Sequence, residues 1–340
     1  MENKALEKLS QLDNREMMRT ITLEEHFTPP AFLDGPRRKI NEQAKVAEHF
    51  GYKKFIEELS DIGDKRIAEM DAAGIDVQVL SHPIIQQLDA TEAVKLTREA
   101  NDYLAEAVQR YPKRFAGFAT LPTAAPDIAA EELERMVNEY GFKGGYITGH
   151  TRGRYLDDKF FWPILERAVA LKVPLYIHPT PPPEPVIEAY YAGFSPEVTS
   201  GLSRAAWGWH IETAVHVLRL ILSGAFDQFP GLQIMIGHMG EALPFMMPRI
   251  DNVLSPNVTK LNHPVADYLR ENIYYTFSGF NFTPTFLNLY LQVGADRIMF
   301  SADYPYSPMA QARNFLDQLP VSPVDKHKIS HGNAERLLKL

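Results

Sequence analysis

APDIAAEELERMVNEYGFKGGYIT, residues 125–148, is the stretch on which the fold is decided. Its first part opens on Pro-Asp, carries apolar residues at helical spacing and closes on Gly141, which predicts a helix over 125–141. Its second part, FKGGYIT (142–148), is short and rich in strand formers, which predicts a strand. Working outward, the same alternation recurs. Strands are expected over 20–25, 75–82, 114–122, 173–179, 232–238, 272–278 and 296–303. Helices are expected over 65–74, 90–111, 158–171 and 210–230, with a last one around GNAERLLKL (332–340). Helix-then-strand alternation implies parallel, right-handed crossovers. Eight strands in a chain of 340 residues favour a closed (β/α)8 barrel. A doubly wound open sheet is the alternative, but no Gly-rich phosphate loop follows the first strand. PTPPPEP (179–185) is too short for an interdomain linker. The chain therefore reads as one barrel domain over 1–340, with loop insertions and a charged, helix-prone N-terminal extension over 1–18.

Composition narrows the function. Hydrophobic residues make up 45% of the chain, enough for a large core. The formal charge of −8 removes the electrostatic footprint of nucleic-acid binding. There is no cysteine, so disulfides, thiolate metal sites and a Cys nucleophile are excluded. No apolar run reaches membrane-spanning length and the N-terminus has no apolar signal core, which reads as a soluble, cytoplasmic protein. Asn257-Val-Thr and Asn281-Phe-Thr match the glycosylation pattern and are taken as coincidence in that setting.

The strand ends carry the chemistry. In a barrel of this kind, side chains at the C-terminal ends of the strands converge. Strand 1 ends in Glu24 and His26, strand 2 in His82, strand 5 in His178, strand 6 in His238 and strand 8 in Asp303. Glu24 and His26 are two apart, so alternation sends both to one side and Glu25 to the other. Imidazoles and carboxylates without thiolates suit Zn²⁺, Mn²⁺ or a related divalent ion. A lone histidine at a strand end is more often a hydrogen-bonded core residue, and His82, His49, His263 and His327 are read that way. His216 sits mid-helix and reads as structural or surface. His210 begins a helix, and its role stays open. Burying Glu24, His26, His178, His238 and Asp303 together without a metal or a polar network would be costly.

LEEHF, PLYIHP, IMIGHMGEALPFMMPRID and MFSADYPY, in this order at these strand ends, resemble the amidohydrolase superfamily. They are similar, more narrowly, to its branch of nonoxidative aromatic acid decarboxylases, which includes γ-resorcylate, 2,3-dihydroxybenzoate and 5-carboxyvanillate decarboxylases. The likeness runs from about residue 19 to 340. It implies Glu24, His26, His178 and Asp303 as metal ligands, with Asp303 also moving the proton. It implies His238 beside the substrate and Glu241 as its carboxylate partner. Arg249 matches an arginine that in relatives reaches a neighbouring subunit's site. Many hydrolases of the superfamily bridge two metals with a modified lysine at the end of strand 4. Here that end reads GGYIT, so one divalent ion per subunit is expected.

Such a site can hold a carboxylate and an ortho phenolate together. Decarboxylating the arene requires a proton on the carbon bearing the carboxylate, and Asp303 is positioned to give it. The expected substrate is a small ortho-hydroxylated aromatic carboxylic acid, with Phe27, Phe280, Tyr304 and Tyr306 as pocket-lining candidates. The alternative is a metal-dependent hydrolase of an amide, ester or lactone on the same site. EALPFMMPRID (241–251) reads as a short apolar helix carrying one cation. Its Leu243, Phe245, Met246 and Met247 suggest a partner surface, hence a homodimer or homotetramer.

Overall fold

The computed structural model describes residues 18–36, 52–83 and 88–340; the N-terminal extension up to residue 17, and His49, lie outside them. The helix of the opening stretch runs Pro126–Tyr140, with Pro126 at its start, Asp127 in its first turn and Gly141 closing it at φ 70°. Ala129, Ala130, Leu133 and Met136 form its buried stripe. Gly145 then begins a strand because nothing larger fits: a Cβ there would lie 2.7 Å from Leu121 Cδ1 and 2.8 Å from Leu175 Cδ2.

In chain order the strands are β1 (Ile21–His26), β2 (Val77–Ser81), β3 (Phe115–Gly117), β4 (Ala119–Thr120) and β5 (Gly145–Thr148). They continue as β6 (Leu175–His178), β7 (Ile234–Ile236), β8 (Ile273–Thr276) and β9 (Ile298–Met299). Every pairing is parallel, in the orders β1-β2-β3 and β4-β5-β6-β7-β8-β9. The two runs join at Phe118, whose N–H donates to Leu80 O at 3.0 Å while the next N–H, of Ala119, donates to Gly144 O at 2.8 Å. β3 and β4 are thus halves of one strand that changes neighbour, and the expected strand over 114–122 is present with a break. Leu23 N–H donates to Phe300 O at 3.2 Å, which joins the first strand to the last. The architecture is the expected (β/α)8 barrel.

Two layers of core follow from the alternation of the strands. Ile21, Leu23, Val77, Val79, Ala116, Phe118, Tyr146, Tyr176, Met235, Tyr274 and Met299 fill the barrel. Leu80, Ile147, Ile177 and Ile236 face outward and pack against the helices. The strands are shorter than their apolar runs suggest, because the runs continue into strand-end loops. β7 stops before His238, and β9 ends four residues before Asp303. The helix expected over 210–230 divides into Gly208–Leu222 and Ala225–Gln228, with Gly224 at φ 78° between them. Among the described residues no helix is long and apolar enough to cross a membrane.

Met235 is fully buried inside the barrel. Met235→Ala leaves a cavity there, and denaturant unfolding should report a loss of about 2–5 kcal/mol. A loss under about 1 kcal/mol would mean that the interior collapses around the gap.

Candidate active site

β1 places its ionisable side chains through a bulge. Ile21 and Leu23 point into the barrel, so strict alternation would turn Glu24 outward. Glu24 instead takes φ 63°, and the β1–β2 register shifts between Thr22 and Glu25. Leu23 and Glu24 therefore both face inward, His26 follows Glu24, and Glu25 turns to the helix side. The sequence expectation for residues 24–26 agrees with this geometry, while the extra residue behind it carries no signal in the sequence.

Glu24 is sealed from solvent. Its Oε2 accepts from the hydroxyls of Tyr176 and Ser278, with Thr276 Oγ1 at 3.5 Å. Among the described residues its Oε1 has no hydrogen-bond partner, and His178 Nε2 stands 3.5 Å from it. His26 Nε2 is 3.1 Å from Asp303 Oδ1, and the His26 and His178 rings meet edge-on with centroids 5.0 Å apart. Ligand atoms of Glu24, His26 and His178 all lie within 4.8 Å of one another. Two ligands about 2.1 Å from a common ion in a tetrahedron are about 3.4 Å apart, so these donors fit one divalent cation. Burial raises the Glu24 carboxyl above the ordinary carboxylate range and the nearby Asp303 adds to this, while the His238 and His26 imidazoles oppose it. A cation held beside Glu24 would supply the charge that this burial lacks.

A second cluster adjoins the first. His238 Nδ1 is 2.8 Å from Glu241 Oε1, and His210 Nδ1 is 2.6 Å from Glu241 Oε2. One buried carboxylate thus accepts from two imidazoles. Burial works against the charged form of His238, but the Glu241 and Glu24 carboxylates outweigh it and take its pKa up to about 10. For Glu241, burial alone would raise the carboxyl, yet His238 and His210 hold it below the usual range. With Nδ1 committed to Glu241, Nε2 is the nitrogen of His238 that can address a ligand. Phe280 lies edge-on to both rings, 5.1 Å from His210 and 5.3 Å from His238.

The remaining candidates divide. Tyr306 is 52% exposed at the mouth, its ring 5.4 Å from His26 and 5.1 Å from Phe55. Phe27 and Tyr304, expected to line the pocket, do not. Phe27 follows His26 on the strand, so it turns outward and is buried against His82 and Tyr103. Tyr304 also turns to the helix side, where its hydroxyl donates to Glu69 Oε2 at 2.6 Å under the guanidinium of Arg66. Arg249 is exposed on the helix Leu243–Val253 and makes no ion pair among the described residues. On the same helix the expected apolar surface splits: Leu243 and Met247 are core, whereas Phe245 and Met246 are exposed. His82, with Nδ1 2.9 Å from Phe27 O, is the core histidine it was read as.

Sequence reasoning left His210 open and did not single out Tyr176, Thr276, Ser278 or Arg66. Tyr176 shares a face of β6 with His178, and Thr276 and Ser278 share a face of β8, so alternation could have found these three. His210 starts a helix 31 residues before Glu241, and no local pattern links them. Outside the strand, Arg66 Nη2 donates to His26 O at 2.7 Å and to Glu58 O at 2.9 Å. Glu25 accepts from Ala302 N–H, Tyr304 N–H and Gln78 Nε2–H. Burial pushes its carboxyl up to about 8 and the two backbone amides oppose this. All three contacts are donors, and they favour the ionised form over the acid, whose O–H would need an acceptor of its own.

Residues 47–340 match the family model described as Amidohydrolase. This chain belongs to the amidohydrolase family. It is 39% identical over 334 residues to a gamma-resorcylate decarboxylase of Polaromonas sp. JS666, covering 94% of this chain and 98% of that one. Two solved amidohydrolase-fold relatives superpose closely. One is the 5-carboxyvanillate decarboxylase of Novosphingobium aromaticivorans complexed with manganese and 4-hydroxy-3-methoxy-5-nitrobenzoic acid. It has a TM-score of 0.87 and 37% identity, over 96% of this chain and 97% of that one. The other is a dihydroxybenzoic acid decarboxylase of Polaromonas sp. JS666 with bound manganese and the inhibitor 2-nitroresorcinol. Its TM-score is 0.85 at 38% identity, over 95% of this chain and 98% of that one.

Gly237 forms the floor under this amidohydrolase site. A Cβ there would stand 2.5 Å from Glu24 Oε2 and 2.8 Å from Ser278 Oγ. Gly237→Ala should therefore push the Glu24 carboxylate aside and weaken Mn²⁺ binding by about 10- to 100-fold, read by chelator competition. Unchanged affinity would show that Glu24 Oε2 does not set the position of the ligand oxygen.

Proposed function

We propose that this chain is a metal-dependent nonoxidative decarboxylase of an ortho-hydroxylated aromatic carboxylic acid, in which Asp303 protonates the ring carbon. Glu24, His26, His178 and Asp303 would hold one divalent ion, and their imidazole and carboxylate donors suit Mn²⁺ or Zn²⁺. When bound, the ion supplies Lewis-acid affinity for adjacent carboxylate and phenolate oxygens. The near-full-length likeness to carboxy-lyases that handle hydroxylated aromatic acids supports decarboxylation over hydrolysis. The chain is read as one barrel domain, with its residues 1–18 an extension to it.

One observation carries the division of roles between the two carboxylates. Glu24 is fully buried, whereas the Asp303 side chain is 16% exposed at the mouth. Of the two carboxylates, Asp303 is the one that can pass a proton to a ligand lying there. Its carboxylic acid gives a proton to the carbon that bears the substrate carboxylate, and that carbon loses aromaticity. The bond to the carboxylate then breaks, its electron pair returns to the ring, and neutral CO2 leaves. Asp303 is left ionised and takes its next proton from solvent. The His238 imidazolium, held by Glu241, offers an N–H to an anionic substrate oxygen and keeps it oriented. Phe280 packs against that ring and Tyr306 lines the mouth.

CO2 release from Mn²⁺-loaded protein over a panel of ortho-hydroxybenzoates tests the reading. Release is expected, and it should be lost on exhaustive chelation and return with added Mn²⁺. Asp303→Asn should keep the metal and turn over about 10²-fold or more slowly. Ester or lactone hydrolysis without CO2 release would overturn the reaction class, and near-normal turnover in metal-replete Asp303→Asn would move the proton donor elsewhere.

Arg249 is proposed to serve the site of a neighbouring subunit in a dimer or tetramer. Its exposure, the absence of an ion pair to it among the described residues and the exposed Phe245 and Met246 beside it support this. Mixing inactive Asp303→Asn with inactive Arg249→Ala subunits should restore activity, since one site in each mixed pair is then complete. Subunit exchange without recovery would confine Arg249 to its own chain.

A further inference from the structure

Asp303 has little of its own to hold it. It lies four residues past the end of β9, beyond the strand ladder, and its backbone sits at φ 65°. A non-glycine residue in that region must be held there by its surroundings. The holding contacts come from the end of β1. Glu25 Oε1 accepts from Ala302 N–H at 2.8 Å, and Glu25 Oε2 accepts from Tyr304 N–H at 3.2 Å. Immediately beyond, Tyr304 O accepts from His26 N–H at 2.8 Å. The backbone N–H groups of the two residues that flank Asp303 are therefore bound by the side chain that lies between Glu24 and His26. Gln78 Nε2, from β2, steadies the same carboxylate at 3.2 Å.

We infer that Glu25 is a positioning residue: its carboxylate brackets Asp303 and sets the placement of that side chain relative to Glu24 and His26. The inference rests on the reading of Asp303 as ligand and proton donor. A carboxylate suits the task because it accepts at both oxygens, and the two amides to be held are two residues apart. A primary amide accepts at only one end and would turn an N–H towards the other peptide N–H. The bulge at Glu24 has a second use here, since it sends the Glu25 side chain to the helix side, where these amides lie.

Glu25→Gln, loaded with Mn²⁺, tests the inference. It should fold, lose about 10- to 100-fold in kcat with little change in KM, and give an altered Mn²⁺ electron paramagnetic resonance spectrum. A merely structural Glu25 would lower Tm but leave the spectrum and the kcat of the folded, metal-replete protein at wild-type values, which would overturn the inference. Asp303→Ala, which removes the oxygen altogether, is the reference. If its spectrum changes and that of Glu25→Gln does not, the bracket is wrong; if its own spectrum does not change, Asp303 is not a ligand and the underlying reading fails instead. Should Glu25→Gln not accumulate as folded protein, hydrogen exchange in the wild-type holoenzyme reads the same contact. The Ala302 and Tyr304 amides should exchange at least about 10³-fold slower than in an open loop. Exchange of both at open-loop rates would overturn the inference.

Discussion

A carboxylate sealed inside the barrel sets the terms for everything around it. Glu24 has no exposure, and an uncompensated charge at such a position is among the most expensive things a fold can contain. Hydroxyl groups answer one of its oxygens. Tyr176 and Ser278 donate to it, and burial with the neighbouring carboxylate keeps the Tyr176 phenol protonated and able to do so. Beside the other oxygen stands the imidazole of His178, at 3.5 Å. A cation held there would complete the balance.

The barrel wall separates two polar layers with different tasks. On the inner side stand Glu24, His26, His178 and Asp303, with His238 and its Glu241–His210 support beside them. On the helix side stand Glu25, Arg66, Gln78, Glu69 and Tyr304. The outer set exists because loops leave the strand ends before the ladder can satisfy their peptide groups. Arg66 closes the His26 carbonyl, and Glu25 closes the amides at 302 and 304. Arg66 is itself buried, and desolvation lowers its guanidinium, with Tyr304 and Glu25 working the other way. Placing the reactive side chains on one face therefore requires a comparably polar arrangement on the other.

Periodicity made the barrel legible. Helical stripes such as Ala129, Leu133 and Met136, and short apolar strands ending in ionisable residues, depend only on local spacing. Glu24, His26, His178 and His238 stood out because charge at the end of an apolar strand is unusual. The rest depended on contacts between distant segments. Phe27 and Tyr304 are adjacent to site residues in sequence, yet alternation and loop geometry turn them away from the mouth. His210 and Arg66 reach the site from helices, and nothing in their neighbourhood says where those helices pack. The bulge at Glu24 was invisible because an inserted residue leaves composition and pattern almost unchanged.

Glu24, His238, Glu241 and Asp303 all carry positive φ, between 51° and 65°. For residues with a Cβ this conformation costs about 1–2 kcal/mol each relative to what glycine would experience. The backbone at all four positions would thus rest more easily with the one residue that has no side chain to offer. Selection for foldability and selection for chemistry act in opposite directions along the rim of this barrel. Variants screened for heat resistance alone would be expected to drift towards glycine at the rim and become inert scaffolds.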